Sequence, residues 1–372
     1  MTYKKFIINY FIITLVIILV PSIIVFIVDP LQLYHRQVTL KEIKYYKEQR
    51  HQNIGLINNY LVRGSGIYTI IMGTSMSENF IPSIVKKELN DGTKVLKLTM
   101  SGGRPFEQYI LIKKALDTKK VKRVIWDIHW YYLLNKLSKK DKNHDFPYKL
   151  YSNNFFQKSY YYLFNQDYFK NSILIFLGIE NKKYWTKNLD KLNYTMDDWL
   201  KSKKFIKHRS KKNINKMNEE IKKVKSNIPN LYIIEKRYAK KLNYPNIDRF
   251  LIPIFKKYKN VEFDIFFPPY STYFYAKNNI NKSIRFIYGR KYLINKTENL
   301  HNVKIFGFDN NYNIVNNICN YKDYGHYSAD INNIILNNIV NKENIINKKN
   351  IDSYLEKMIN NINNYQKVNC KN

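Results

Sequence analysis

Cysteine is nearly absent from this chain: Cys319 and Cys370 are the only two in 372 residues. Two cysteines cannot make a disulfide scaffold or a cysteine-rich zinc module. Glycine and proline are scarce too, at 11 and 10, which excludes a collagen-like or linker-dominated chain. Acidic residues are outnumbered, 29 against 63 lysines and arginines. The seven histidines are scattered and carboxylates do not gather near them, so no metal site is expected. Walker, Rossmann and HExxH patterns are missing. No cofactor is expected.

What is present is apolar and aromatic. The chain is 45% hydrophobic, with 33 tyrosines and 21 phenylalanines, and that excludes wholesale disorder. Its length allows two domains or one large α/β domain. The formal charge of +34 needs a discount, because Lys, Asn, Ile and Tyr are inflated together, as AT-rich codons would produce. Most of it reads as a lysine-coated surface. The remainder favours anionic neighbours such as phospholipid headgroups or acidic glycans. Nucleic acid is not an expected partner, since no zinc-finger, RNA-recognition or helix-turn-helix signature accompanies the charge.

Charge is absent altogether from Phe6 to Val28 (FIINYFIITLVIILVPSIIVFIV). At about 1.5 Å per residue this run reaches about 35 Å, enough for a hydrocarbon core of about 30 Å. It ends Ile27-Val28-Asp29-Pro30, which is no signal-peptidase site. A retained single-pass membrane anchor is expected. Lys4 and Lys5 precede it, while Arg36, Lys41, Lys44 and Lys47 follow, so the positive-inside count does not fix the orientation. An N-in, C-out arrangement is expected from the site described next.

Residues 29–63 read as a polar stalk or surface helix. An α/β alternation then begins. Tyr68–Met72 is an apolar strand ending at Gly73, Pro82 opens a helix to Leu89, and Lys94–Thr99 is a second strand ending at Ser101-Gly102-Gly103. Pro105–Asp117 is a helix and Val121–Asp127 a third strand. Residues from about 130 to 245 read as a helical insertion, including a helix at Asn213–Val224. The alternation resumes with a helix at Ile247–Tyr258, a strand at Val261–Phe267, a helix at 282–298, a strand at Val303–Phe308 and a closing helix at 328–341. The expected fold is a doubly wound parallel α/β sheet of flavodoxin-like order over residues 64–341. The Asn/Lys-rich segment from 342 is a low-complexity tail, helical or frayed.

In open α/β sheets the ligand site lies beyond the carboxyl ends of the strands. There the first strand delivers Gly73-Thr74-Ser75-Met76-Ser77, the second Ser101-Gly102-Gly103, and the last region Asp323-Tyr324-Gly325-His326. A serine nucleophile needs a base, a carboxylate to hold the base's tautomer, and donors for the oxyanion. Ser75, His326, Asp323 and the glycine turn supply those parts. Ser77 is the rival nucleophile, with helix capping its alternative role. Asp127 and His129 are candidates for lining the site, although a histidine flanked by aromatics is commonly a core residue. His144 and His208, in lysine-rich stretches, read as solvent-facing. Tyr160-Tyr161-Tyr162 and Trp185 are candidates for stacking on sugar rings, or else core.

Gly73-Thr74-Ser75-Met76 resembles the Gly-Asp-Ser-Leu block of the SGNH (GDSL) hydrolases, and Asp323-x-x-His326 resembles their Asp-x-x-His block. With its anchor, the chain is most similar to membrane-tethered cell-envelope members, including accessory proteins of teichoic-acid D-alanylation and exopolysaccharide O-acetylation. The resemblance implies Ser75 as nucleophile, His326 as general base and Asp323 as its orienter. It implies oxyanion donors at the Ser75 and Gly102–Gly103 amides. It implies a serine esterase or O-acyltransferase working on an envelope glycan or acyl donor. The family's Gly-x-Asn-Asp block is missing after the third strand, which runs Trp126-Asp127-Ile128-His129, and its aspartate before the serine is Thr74 here. That departure supports an alternative: an inactive accessory or glycan-binding protein, partnered with a membrane-bound O-acyltransferase.

Overall fold

The computed structural model describes residues 3–139, 146–181, 184–192, 211–223 and 228–365. In chain order, α1 (Tyr3–Val28) and α2 (Gln49–Leu56) precede β1 (Tyr68–Gly73). Then come α3 (Pro82–Leu89), β2 (Lys94–Thr99), α4 (Pro105–Asp117), β3 (Val121–Asp127), α5 (Phe155–Leu163) and α6 (Gln166–Phe176). The last part holds β4 (Glu262–Phe267), α7 (Ile280–Thr297), β5 (Val303–Gly307), α8 (Ala329–Asn341), β6 (Ile345–Ile346) and α9 (Ile351–Asn363). The chain divides into two compact units, residues 1–65 with 141–192, and residues 66–140 with 193–372.

The larger unit is mixed α/β around a six-stranded sheet of order β2-β1-β3-β4-β5-β6. The first five strands are parallel, and β6 runs antiparallel to β5. Every residue of β1 (YTIIMG) is buried, as expected of a strand covered on both faces. Each of its large apolar side chains contributes about 1.5–3 kcal/mol by leaving water. Proline opens α3 and α4, where its missing N–H costs nothing. Asn90, at φ 43°, ends α3 in the left-handed conformation.

The smaller unit starts with α1, a helix long and apolar enough to cross a membrane. Its polar groups are satisfied by its own backbone: Thr14 Oγ1 donates to the Tyr10 carbonyl and Ser22 Oγ to that of Ile18. The segment expected as a polar stalk is instead a packed core. Leu31, Leu33, Ile54, Leu56 and Leu61 are all buried. Asp29, at φ 47°, closes the chain after α1 by accepting the amides of Leu33, Tyr34 and His35. Tyr162 donates to the same carboxylate at 2.7 Å.

Two other expectations need correction. The stretch expected as one insertion is divided: residues 141–192 join α1 and its following segment, while the rest belongs to the sheet unit. The expected tail is part of the fold, since Ile345–Ile346 extends the sheet and α9 buries Tyr354, Leu355, Met358 and Ile359. Asparagine and lysine on the outer face of α9 masked this amphipathic helix.

Candidate active site

The turn that carries Ser75 is shaped by one glycine and one carboxylate. Gly73 has φ 136°, and a Cβ there would lie 2.0 Å from Asp127 Oδ2. Only glycine lets the end of β1 pass over the end of β3. Asp127 Oδ2 accepts the Thr74 amide at 2.7 Å and the Ser77 hydroxyl at 2.7 Å, and Thr74 Oγ1 donates to Oδ1 at 3.1 Å. Asp127 is fully buried, so it underpins the turn and does not line the site. Its burial pushes the carboxyl up to about 6, against the pull of the Ser77 and Thr74 hydrogen bonds. Ser77 is thereby removed as a rival nucleophile: its hydroxyl is spent on Asp127, and it caps no helix.

Ser75 faces the other way. Its Oγ lies 2.8 Å from His326 Nε2, and His326 Nδ1 lies 2.8 Å from Asp323 Oδ2. Burial alone would raise Asp323, but the hydrogen bond and charge of His326, with the His326 and Gly325 amides, outweigh it and hold the carboxyl at about 2. Asp323 is therefore a carboxylate that accepts from Nδ1–H, which leaves Nε2 as the acceptor for the Ser75 proton. The imidazole is 35% exposed, so the pair opens to solvent.

The loop that carries Asp323 and His326 is pinned at both ends. Tyr321 and Tyr327 form an isolated antiparallel bridge, and the Lys322 amide donates to the His326 carbonyl at 2.8 Å. Asp323 Oδ1 accepts the Gly325 and His326 amides. Ser271 Oγ donates to the Tyr324 carbonyl and Tyr321 Oη to that of Pro269, tying the loop to the end of β4. Tyr327 Oη and Asn332 Nδ2 both donate to the Met76 carbonyl, at 3.0 and 2.9 Å. Sequence reasoning missed this clamp, because a tyrosine and a helical asparagine carry no distinguishing spacing.

The expected oxyanion donors separate. The Ser75 and Gly102 amides donate to no partner among the described residues. Gly102 is exposed, with φ 61°. Gly103 is corrected: its amide donates to the Met100 carbonyl at 2.9 Å, closing the turn, and is not available to a ligand. The Met100 amide in turn donates to the Gly73 carbonyl at 2.9 Å, which ties the end of β2 to that of β1.

His129 packs against Trp130, Tyr131 and Tyr270. Burial, and then the nearby His326, lower it to about 3, so it stays neutral. Tyr162 and Trp185 are buried in the smaller unit and offer no sugar platform, whereas Tyr160 is exposed. His144 and His208 lie outside the described residues. Among the described residues, no group of three or more His, Cys, Asp or Glu could hold a metal ion.

No protein-family model matches this chain, and no curated protein matches it significantly.

Proposed function

We propose that the chain is a membrane-anchored, SGNH-like serine esterase or O-acyltransferase acting on cell-envelope polysaccharide. The observation that carries this reading is the pair of 2.8 Å contacts joining Ser75 to His326 and His326 to Asp323. The strand order, with Ser75 just beyond β1, the second strand of the sheet, supports a doubly wound sheet of flavodoxin-like type, whose ligands bind at the carboxyl ends of strands. The anchoring rests on α1, and the outward-facing domain and the bacterial envelope rest on the resemblance.

In the proposed reaction, Ser75 Oγ attacks the acyl carbon of an ester while its proton passes to His326 Nε2. The oxyanion meets the Ser75 and Gly102 amides. The alkoxide leaves with the proton from His326, giving an acyl-enzyme. Water or a glycan hydroxyl, deprotonated by His326, releases the acyl group as acid or as a new ester.

A serine-directed fluorophosphonate probe tests this on the full-length chain in detergent, beside Ser75→Ala and His326→Ala. Labelling that both substitutions abolish is expected. Labelling unchanged in Ser75→Ala would sink the proposal. One observation favours a second reading, a non-catalytic accessory protein for a membrane-bound O-acyltransferase. The end of β3 offers no asparagine donor, because Asp127 is consumed in the turn. Folded protein that takes no label supports that reading.

A further inference from the structure

We infer that the α5–α6 hairpin is embedded in the bilayer interface, so that the smaller unit meets the lipid through a wedge of aromatic and aliphatic side chains beside its spanning helix. The inference rests on α1 being a membrane anchor.

The first argument is depth. From Phe6, a rise of about 1.5 Å per residue carries α1 across a hydrocarbon core of about 30 Å by residue 26. Val28 at the end of α1 packs with Ile175 of α6 and with Trp185, and Ile24 borders the same cluster. Val25 is also buried, at 0% exposure. The last turns of α1 are thus covered by α6 at the level where the core ends. Whatever α6 presents on its other sides meets the lipid boundary at that depth.

The second argument is composition. Residues 173–177 of α6 and its cap read Ile-Leu-Ile-Phe-Leu. Ser172 and Ile175 face inward, yet Ile173, Phe176 and Leu177 are exposed at a helical spacing of three and four. The last turn of α6 is thus apolar on its exposed side as well as its buried one, and an apolar side needs burial. On α5, Phe155 and Phe156 are 59% and 82% exposed in its first turn.

The third argument is continuity. Phe26 of α1 contacts Tyr34 at 5.6 Å between ring centroids, Tyr34 contacts Phe155 at 6.2 Å, and Phe155 contacts Phe156 at 6.0 Å. A chain of rings therefore runs from the spanning helix onto the exposed face, in the manner of an interfacial aromatic belt. Beside it, the Lys41 stem lies against Gly178, where a Cβ would come 2.5 Å from Lys41 Cδ. Its exposed ammonium suits an anionic headgroup above buried methylenes.

The test uses the full chain in nanodiscs of phosphatidylcholine and phosphatidylglycerol, with lipids brominated along the acyl chains, near the headgroup and near the chain end, or left unbrominated. Tryptophan reporters are placed by Phe156→Trp, Leu177→Trp and, within α1, Leu15→Trp, with the native tryptophans subtracted using the wild-type chain. A tryptophan that sits among the acyl chains is quenched by contact with bromine, whereas one held in water is not. Quenching at 156, 177 and 15 is expected. Quenching at 15 but at neither 156 nor 177 overturns the wedge and leaves the anchor standing. No quenching at any of the three overturns the anchor reading and the wedge with it.

Discussion

The carboxylate of Asp127 occupies the space that a side chain at residue 73 would need: a Cβ on Gly73 would lie 2.0 Å from Asp127 Oδ2. Gly73→Ala therefore meets both a buried carboxylate and a φ of 136°. The conformational strain alone costs about 1–3 kcal/mol. Because the turn that moves carries Ser75, fluorophosphonate labelling is expected to fall further than the loss of folded protein explains. Denaturant unfolding measured beside the labelling rate separates the two. Wild-type labelling in a folded Gly73→Ala chain would mean that Asp127 does not shape the turn.

Asp127 also sets a pH dependence. Its folded carboxyl titrates near 6, above the usual value of 3.8, because of burial. The folded state then holds a proton that the unfolded chain has released, so stability falls as pH rises from about 4 to about 6. Two units correspond to roughly 2–3 kcal/mol at most. Asp264 is also raised to about 6, so the wild-type profile contains both groups. The difference between wild type and Asp127→Asn, measured as unfolding free energy against pH, isolates Asp127. A difference that is flat between pH 4 and 6 would contradict the assignment.

The sheet was legible because its strands obey simple rules. β1, β2 and β3 are short apolar runs ended by glycine or a polar residue, and α3 and α4 begin at proline. The pairing of Ser75 with His326 and Asp323 was legible only jointly, from two weak motifs at strand ends of an expected topology. The unit around the anchor was not legible, because its interior is partly polar. Gln37 is buried, yet its amide donates to the Pro30 and Lys44 carbonyls and accepts the Lys44 amide. A side chain that satisfies loop backbone looks like surface in a sequence. Asp127 was noticed for its position, but its role depends on a close approach to Gly73 that spacing does not reveal.

Asp323 should matter to rate as well as to folding. Asp323→Asn keeps an oxygen for the Gly325 and His326 amides but loses the carboxylate that holds the Nδ1 proton. Replacing the orienting aspartate of such a relay lowers the chemical rate by as much as about 10⁴-fold. A fall in labelling rate of about 10²-fold or more is expected, together with a lower thermal midpoint at neutral pH, where the carboxylate's stabilisation is complete. The low titration of Asp323, near 2, adds a second signature. Its contribution to stability is complete above about 4 and is lost as pH falls towards 2. Asp323→Asn should be less sensitive to acid over that window than wild type. A variant that labels at the wild-type rate would remove Asp323 from the relay.

The Met76 carbonyl, one residue past Ser75, accepts from both Tyr327 Oη and Asn332 Nδ2. Removing one donor leaves the other in place, so Tyr327→Phe and Asn332→Ala should each cost about 0.5–1.5 kcal/mol. The double variant leaves a buried carbonyl without either donor, and that desolvation penalty of about 1–3 kcal/mol comes in addition to the two lost bonds. The loss in the double variant should therefore exceed the sum of the single losses, a coupling that urea midpoints of the four proteins measure directly. Labelling should follow the same pattern, because the carbonyl is fixed to the residue that follows Ser75. Additive losses would show that the two side chains support the fold separately and do not jointly hold the nucleophile turn.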